Sequence, residues 1–182
     1  SATAIRAPAN AAGGTGLIQS TGGDLVIGAA TVAPGATADT AATGNLTLSA
    51  AEISADGTNP LAVSIPLATG ATTSNTQGLL IATATGTGAA GEIKVTSSGS
   101  LRLGVITGGT DGPIQINSDS SLEVTNAVTA DGTGTVSLSG AAVDLSTASA
   151  DVSSGTGDVT IDAGANNFNM ATGSSIVTTG NV

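Results

Sequence analysis

The chain has 182 residues, of which 40% are hydrophobic but only 1% aromatic, and 3 Lys and Arg stand against 13 Asp and Glu for a formal net charge of −10. It contains no Cys and no His, which excludes disulfides, thiolate metal sites, His-based catalytic triads and His/Cys metal centres. The polyanionic balance opposes binding to nucleic acid or anionic membrane, no apolar run approaches the ~18 residues of a membrane span, and a core with almost no aromatic rings must be narrow.

Residues 1–15 hold Pro8 and clusters of small residues without alternation, which predicts an N-terminal arm or cap. No basic-then-apolar signal peptide opens them. From Leu17 onward, short aliphatic alternations separated by Gly-rich turns take over, and no 3.6-residue helical period occurs. Disorder has no reason to keep such period-2 patterning. An antiparallel sandwich of immunoglobulin type would show similar short strands. It would not repeat one phrase.

That phrase reads Gly, polar, aliphatic, polar, aliphatic. It occurs loosely as Gly23-Asp24-Leu25-Val26-Ile27, then as Gly44-Asn45-Leu46-Thr47-Leu48 and Gly91-Glu92-Ile93-Lys94-Val95. It returns at Gly112-Pro113-Ile114-Gln115-Ile116, Gly134-Thr135-Val136-Ser137-Leu138 and Gly157-Asp158-Val159-Thr160-Ile161. Gly180-Asn181-Val182 starts another copy and stops half-way, the expectation for a cleaved product or an excerpt of a longer chain. The opening glycines are spaced 21, 47, 21, 22, 23 and 23 residues apart, a period of the length that marks stacked repeats. The step of 47 fits two coils. Leu61-Ala62-Val63-Ser64-Ile65 and Gly78-Leu79-Leu80-Ile81 supply alternation inside it, with an insertion or irregular coil expected within 55–90.

A second alternating pair follows each good phrase: Leu101/Leu103, Leu122/Val124, Val143/Leu145 and Phe168/Met170. A third, weaker apolar site comes next at Val105-Ile106, Val128, Val152 and Ile176-Val177. Three short strands per coil, with a coil period of about 21–23 residues, predict an all-β fold, a right-handed parallel β-helix (β-solenoid) over residues 16–182. About eight coils at ~4.8 Å each would make a rod roughly 40 Å long. Ile93, Ile114, Val136 and Val159 are expected to stack as one inward column, and Val95, Ile116, Leu138 and Ile161 as its neighbour. Gly23, Gly44, Gly91, Gly112, Gly134, Gly157 and Gly180 are expected at corners, through positive φ or through close backbone approach. Phe168 and Met170 read as bulkier core residues.

The phrase, the second pair and the abundance of Ala, Ser, Thr, Asn and Gly resemble the repeats of filamentous-haemagglutinin-type proteins over residues 16–182, best over 91–182. Relatives of that family include two-partner-secreted adhesins and autotransporter passengers. The resemblance implies a right-handed parallel β-helix that projects from a bacterial surface or forms fibres. It also implies a role in attachment, aggregation or matrix. The motif of the family's secretion-recognition domain is absent, so the resemblance places this stretch in a shaft or in a shorter self-assembling relative.

Candidate chemistry is sparse. Paired carboxylates could serve a polysaccharide-acting β-helical enzyme, but the basic residues number three, Arg6, Lys94 and Arg102, and Tyr and Trp are missing as sugar platforms. Asp111, Asp131 and Asp158 sit in Gly-rich turns. They read as turn residues, because the calcium-binding nonapeptide pattern is brushed only once, at Gly155-Thr156-Gly157-Asp158-Val159. Thr83-Ala84-Thr85 is a fragment of an outward Thr face of the ice-binding kind. Thr47, Lys94, Gln115, Ser137 and Thr160 show that outward positions elsewhere vary. Outward on the second strand, Arg102, Glu123 and Asp144 are expected to stack, the first pair favourably and the second unfavourably. Asn45-Leu46-Thr47 matches a glycosylation sequon.

These features predict a structural, non-enzymatic extracellular protein without cofactor. It would be a subunit or shaft segment of a surface filament built by end-to-end stacking, with itself or like repeats as partner. A host or neighbouring cell surface is the further partner of an adhesin reading, in which the 55–90 region makes the contact. Neither nucleic acid nor membrane insertion is expected.

Overall fold

The computed structural model describes residues 3–6, 15–19, 25–26, 29–33, 45–54, 59–65 and 77–182, the first four segments as backbone strands. All the strand pairings within them are parallel, and the strands stack rung on rung as a β-solenoid with about four regular coils. No α-helix occurs among the described residues; a short 3-10 helix at Gly88–Gly91 turns one corner.

The regular coils have three faces. The first carries Ile93–Ser97, Ile114–Ser118, Val136–Ser139 and Val159–Asp162. The second carries the start of Leu101–Thr107, then Ser121–Val124, Ala142–Leu145 and Phe168–Met170. The third carries the end of Leu101–Thr107, then Val128–Thr129, Val152–Ser153 and Ile176–Val177. Strand residues alternate inward and outward, so a repeat that keeps its register keeps every aliphatic on the inside.

Five inward columns result. Ile93, Ile114, Val136 and Val159 pair in succession, as do Val95, Ile116, Leu138 and Ile161. On the second face Leu101, Leu122, Val143 and Phe168 form one column, and Leu103, Val124, Leu145 and Met170 the next. Ile106, Val128, Val152 and Ile176 line the third face. All are buried until the last rung, where Ile161 and Ile176 are half-covered. Each fully buried Ile or Leu contributes roughly 1.5–3 kcal/mol relative to exposure. Val105 and Val177 neighbour the third column but point outward and are exposed.

The lower coils are built differently. Leu46 pairs with Leu80 and Leu48 with Ala82, so the phrase that follows Gly44 runs from the second face onto the third. The coil from there spans 34 residues, the separation bridged when the Leu79 N–H donates to Asn45 Oδ1 at 2.8 Å. The interval of 47 is therefore one long coil plus a change of face, rather than two coils. Gly23 and Gly44 themselves lie outside the described residues. Leu25, after Gly23, pairs with Ile53, which pairs with Ile93 on the first face. In this lower region the first face is the broken one. Ile53–Ser54 and Leu61–Ser64 both pair with Ile93–Ser97. Thr3–Arg6, within the expected arm, is a strand paired with Ala29–Ala33. The first-face path is seven strands deep, so the described stack is about one rung shorter than the eight coils expected.

The break moves from the first face to the second at Gly104. Leu103 pairs with Leu80 but Ile106 pairs with Ala82, so one extra residue is inserted there. This bulge bends Leu101–Thr107 into the two strands that later rungs keep separate. A Cβ at Gly104 would lie 2.9 Å from Ile81 Cγ1, so a larger residue there would have to displace the Ile81 side chain.

Outward on the second face, Arg102, Glu123 and Asp144 stack in register. Arg102 Nε donates to Glu123 Oε2 at 2.7 Å. Burial, and then the charge of Glu123, raise the Asp144 carboxyl above its ordinary range. A raised folded-state pKa means that ionised Asp144 costs stability above that pKa, and the cost disappears as pH falls below the unfolded value. Asp144→Asn is therefore expected to stabilise the chain at neutral pH by roughly 0.5 kcal/mol after solvent screening. Urea titrations at neutral pH and at about pH 3 check this, since the gain should vanish in acid.

Candidate functional site

The most regular local structure is the corner that precedes the first face. There Gly91, Gly112, Gly134, Gly157 and Gly180 stand one above another. None has positive φ; the reason for glycine is close approach. A Cβ would lie 2.6 Å from the Gly86 carbonyl oxygen at Gly91, 2.2 Å from that of Gly91 at Gly112, and 2.4 Å from that of Gly112 at Gly134. At Gly157 and Gly180 the distances to the glycine carbonyl beneath are 2.2 and 2.7 Å. From Gly112 upward any side chain would push successive rungs apart, and at Gly91 it would collide with the backbone of the turn that leads into it. The corner carbonyls are also satisfied from the third face. Ser154 Oγ donates to the Gly134 carbonyl at 2.6 Å and Thr178 Oγ1 to the Gly157 carbonyl at 2.6 Å.

Positive φ falls beside this column instead, at Gly88, Asp111 and Gly132 on successive rungs, with φ of 60, 57 and 56°. Asp is one of the few residues that tolerate this region. Asp111 Oδ1 accepts the Thr133 N–H at 2.7 Å and the Thr133 hydroxyl at 3.0 Å. Those two bonds, the backbone one first, hold its carboxyl below the usual range. A lowered pKa gives stability that is present above the unfolded value and lost as pH falls through the folded one. The fall in Tm between about pH 5 and about pH 2 should thus be smaller in Asp111→Asn, which keeps the left-handed conformation. Thermal melts across that range are the check.

Asp131 Oδ1 accepts the Gly132 N–H at 2.8 Å, and Asp158 Oδ1 accepts the backbone N–H and side-chain amide of Asn181 at 2.9 and 3.0 Å. The three turn aspartates thus bond within or between rungs. Among the described residues, no three His, Cys, Asp or Glu side chains form a group that could hold a metal ion.

Two buried polar clusters were not legible in the sequence. Glu52 and Glu92 precede the paired Ile53 and Ile93, with 9% and 6% of their surface exposed. Ser54 Oγ donates to Glu52 Oε1 at 2.5 Å, and Lys94 Nζ lies 3.0 Å from Glu92 Oε1. Their outward parity looks the same as that of Gln115 or Ser137, and only the surrounding structure buries them. Gln77, also buried, closes the neck of the long coil: its Nε2 donates to the carbonyls of Ile65 and, at 2.7 Å, Ser100. Arg102 Nη1 donates to the Gln77 carbonyl at 2.8 Å, tying this neck to Glu123. The 55–90 region is described only in part, with 55–58 and 66–76 outside the described residues.

Outward on the third face, Ser49, Thr83, Thr107, Thr129 and Ser153 follow one another in register. Ser153 Oγ donates to Thr129 Oγ1 at 3.3 Å. The sequence reading missed this column because it spans the bulge at Gly104. It is one residue wide, ends at Val177, and neighbours Ile81 and Val105 rather than a second hydroxyl row. The sequon residue Asn45 is committed to the Leu79 N–H.

At the last rung the inward columns meet solvent. Phe168 and Met170 are 41% and 45% exposed although they continue the columns of Val143 and Leu145. Ile161, Ala163, Phe168, Ile176 and Val182 line an open apolar cavity there. Gly180-Asn181-Val182 is already seated in register above it, with the Val159 N–H donating to the Asn181 carbonyl at 2.8 Å. Comparison of the chain with protein-family models, curated proteins and solved structures finds no match.

Proposed function

We propose that this chain is a structural element, a shaft segment or subunit of an extracellular surface filament, whose partner is a further set of like rungs stacked end to end. One observation carries the reading. The inward columns and the glycine corner hold one register from Gly91 to Val182, so every rung presents to the next the surface on which it was itself laid. A translationally repeating surface gives length without limit. The buried carboxylates support the same assignment, since each is engaged by Ser54 or Lys94.

Electron microscopy and fibre diffraction of the purified chain test the proposal. Rods or fibres with an axial reflection near ~4.8 Å are expected. Compact particles without that axial repeat would overturn it.

A further inference from the structure

We infer that Asp131 is a site of spontaneous covalent modification. In the folded chain its side chain cyclises onto the nitrogen of Gly132 and reopens as isoaspartate, while the Asp111-Gly112 pair on the rung below is protected.

The reaction is a condensation followed by a hydrolysis, and its only co-reactant is water. The Gly132 nitrogen bonds to Asp131 Cγ, the Cγ–OH bond breaks, and the amide proton leaves with that hydroxyl as water. A five-membered cyclic imide remains. Water then adds to one of its two carbonyls and the ring C–N bond breaks. Attack at Cγ restores aspartate. Attack at the main-chain carbonyl carbon routes the backbone through Cβ and leaves the α-carboxyl free.

The structure separates the two pairs. Asp131 is exposed, and the Gly132 N–H donates to Asp131 Oδ1 at 2.8 Å, so the attacking nitrogen and the carboxyl are already side by side. Glycine brings no Cβ to hinder ring closure. The rung below forces glycine there, because a Cβ at residue 132 would lie 2.1 Å from Asp111 Oδ1. The reactive pair is thus a by-product of the bond between Asp111 and Thr133.

At Asp111 both reacting groups are committed elsewhere. Its Oδ1 accepts the N–H and the hydroxyl of Thr133, while the Gly112 N–H donates to the Gly109 carbonyl at 2.9 Å. Gly112 is buried at the corner against the Gly91 backbone. The Asp111 carboxyl, held below its usual range, also stays ionised, the form that resists a nucleophile. A third pair, Asp56-Gly57, lies outside the described residues.

Isoaspartate at 131 adds one atom to the main chain of a clamped turn. The Gly134 N–H donates to the Asp131 carbonyl at 3.0 Å, the Ala130 N–H to the Ser153 carbonyl at 3.0 Å, and the Thr156 N–H to the Gly132 carbonyl at 2.8 Å. A longer turn disturbs all three, so an aged chain weakens at this rung.

The test is incubation of the folded chain at neutral pH over weeks, with peptide mapping by fragmentation that distinguishes isoaspartate from aspartate. Isoaspartate, preceded by an imide lighter by one water, should accumulate at residue 131 about tenfold or more faster than at residue 111. In concentrated urea the two sites should react at similar rates. Asp131→Ser should abolish the signal at 131 and leave Asp111 as unreactive as before. Equal rates at the two sites in the folded chain would overturn the inference, as would reaction at neither while urea exposes both. A preference for 131 that persists unchanged in urea would trace it to local sequence rather than to the fold, and overturn it as well.

Discussion

Gly112→Ala is expected to lower the unfolding free energy by about 3 kcal/mol, a large part of the stability of an ordinary domain. The new Cβ would sit 2.2 Å from the Gly91 carbonyl oxygen, 2.5 Å from its carbon and 3.0 Å from its Cα. All three are backbone atoms of the rung below, so no side chain can swing aside. Relief requires the rungs to separate, which stretches the ladder on both sides of the corner. Gly99→Ala is the control, because nothing lies within 4 Å of a Cβ there and the backbone is not left-handed. It should be neutral or stabilising by roughly 0.5 kcal/mol through loss of unfolded-state freedom. Chemical denaturation of the two variants against the parent gives the comparison, and equal stability of Gly112→Ala and Gly99→Ala would refute close approach as the reason for glycine.

Leu122→Ala should be equally costly, about 3 kcal/mol, whereas Phe168→Ala in the same column should cost about 1 kcal/mol. Leu122 is fully buried between Leu101 and Val143, and its removal leaves a cavity that the rungs above and below cannot close without breaking register. Phe168 has lost the upper half of that environment. The larger side chain thus gives the smaller effect, an inversion of the usual size order. Denaturant titrations of both variants would detect it directly.

The inward columns were legible in the sequence because two periods coincide there. Alternation by two fixes the inward parity of Ile93 and Val95, and the 21–23-residue return places Ile114 and Val136 on the same line. The face to which a phrase belongs was not legible. Asn45-Leu46-Thr47-Leu48 alternates as a first-face strand does, yet Leu46 lies on the second face and Leu48 on the third, since parity carries no information about which side of the coil a strand occupies. The bulge at Gly104 was hidden for a related reason: one extra residue looks like ordinary spacing until its partner Ala82 is known. Of the candidate site, the glycines and the Arg102–Glu123–Asp144 stack could be read from the repeat. The burial of Glu92 and Gln77 could not, because it depends on parts of the chain distant in sequence.

The direction of the ladders has a mechanical consequence. Hydrogen bonds between rungs run along the rod, so tension applied at its two ends loads them in series. The weakest rung opens first, and its neighbours keep their own bonds. A rung that advances the rod by ~4.8 Å stores about 22 residues of chain, which pull out to on the order of 70 Å. Under load, rungs arranged in this way would give way in discrete steps, each dissipating work.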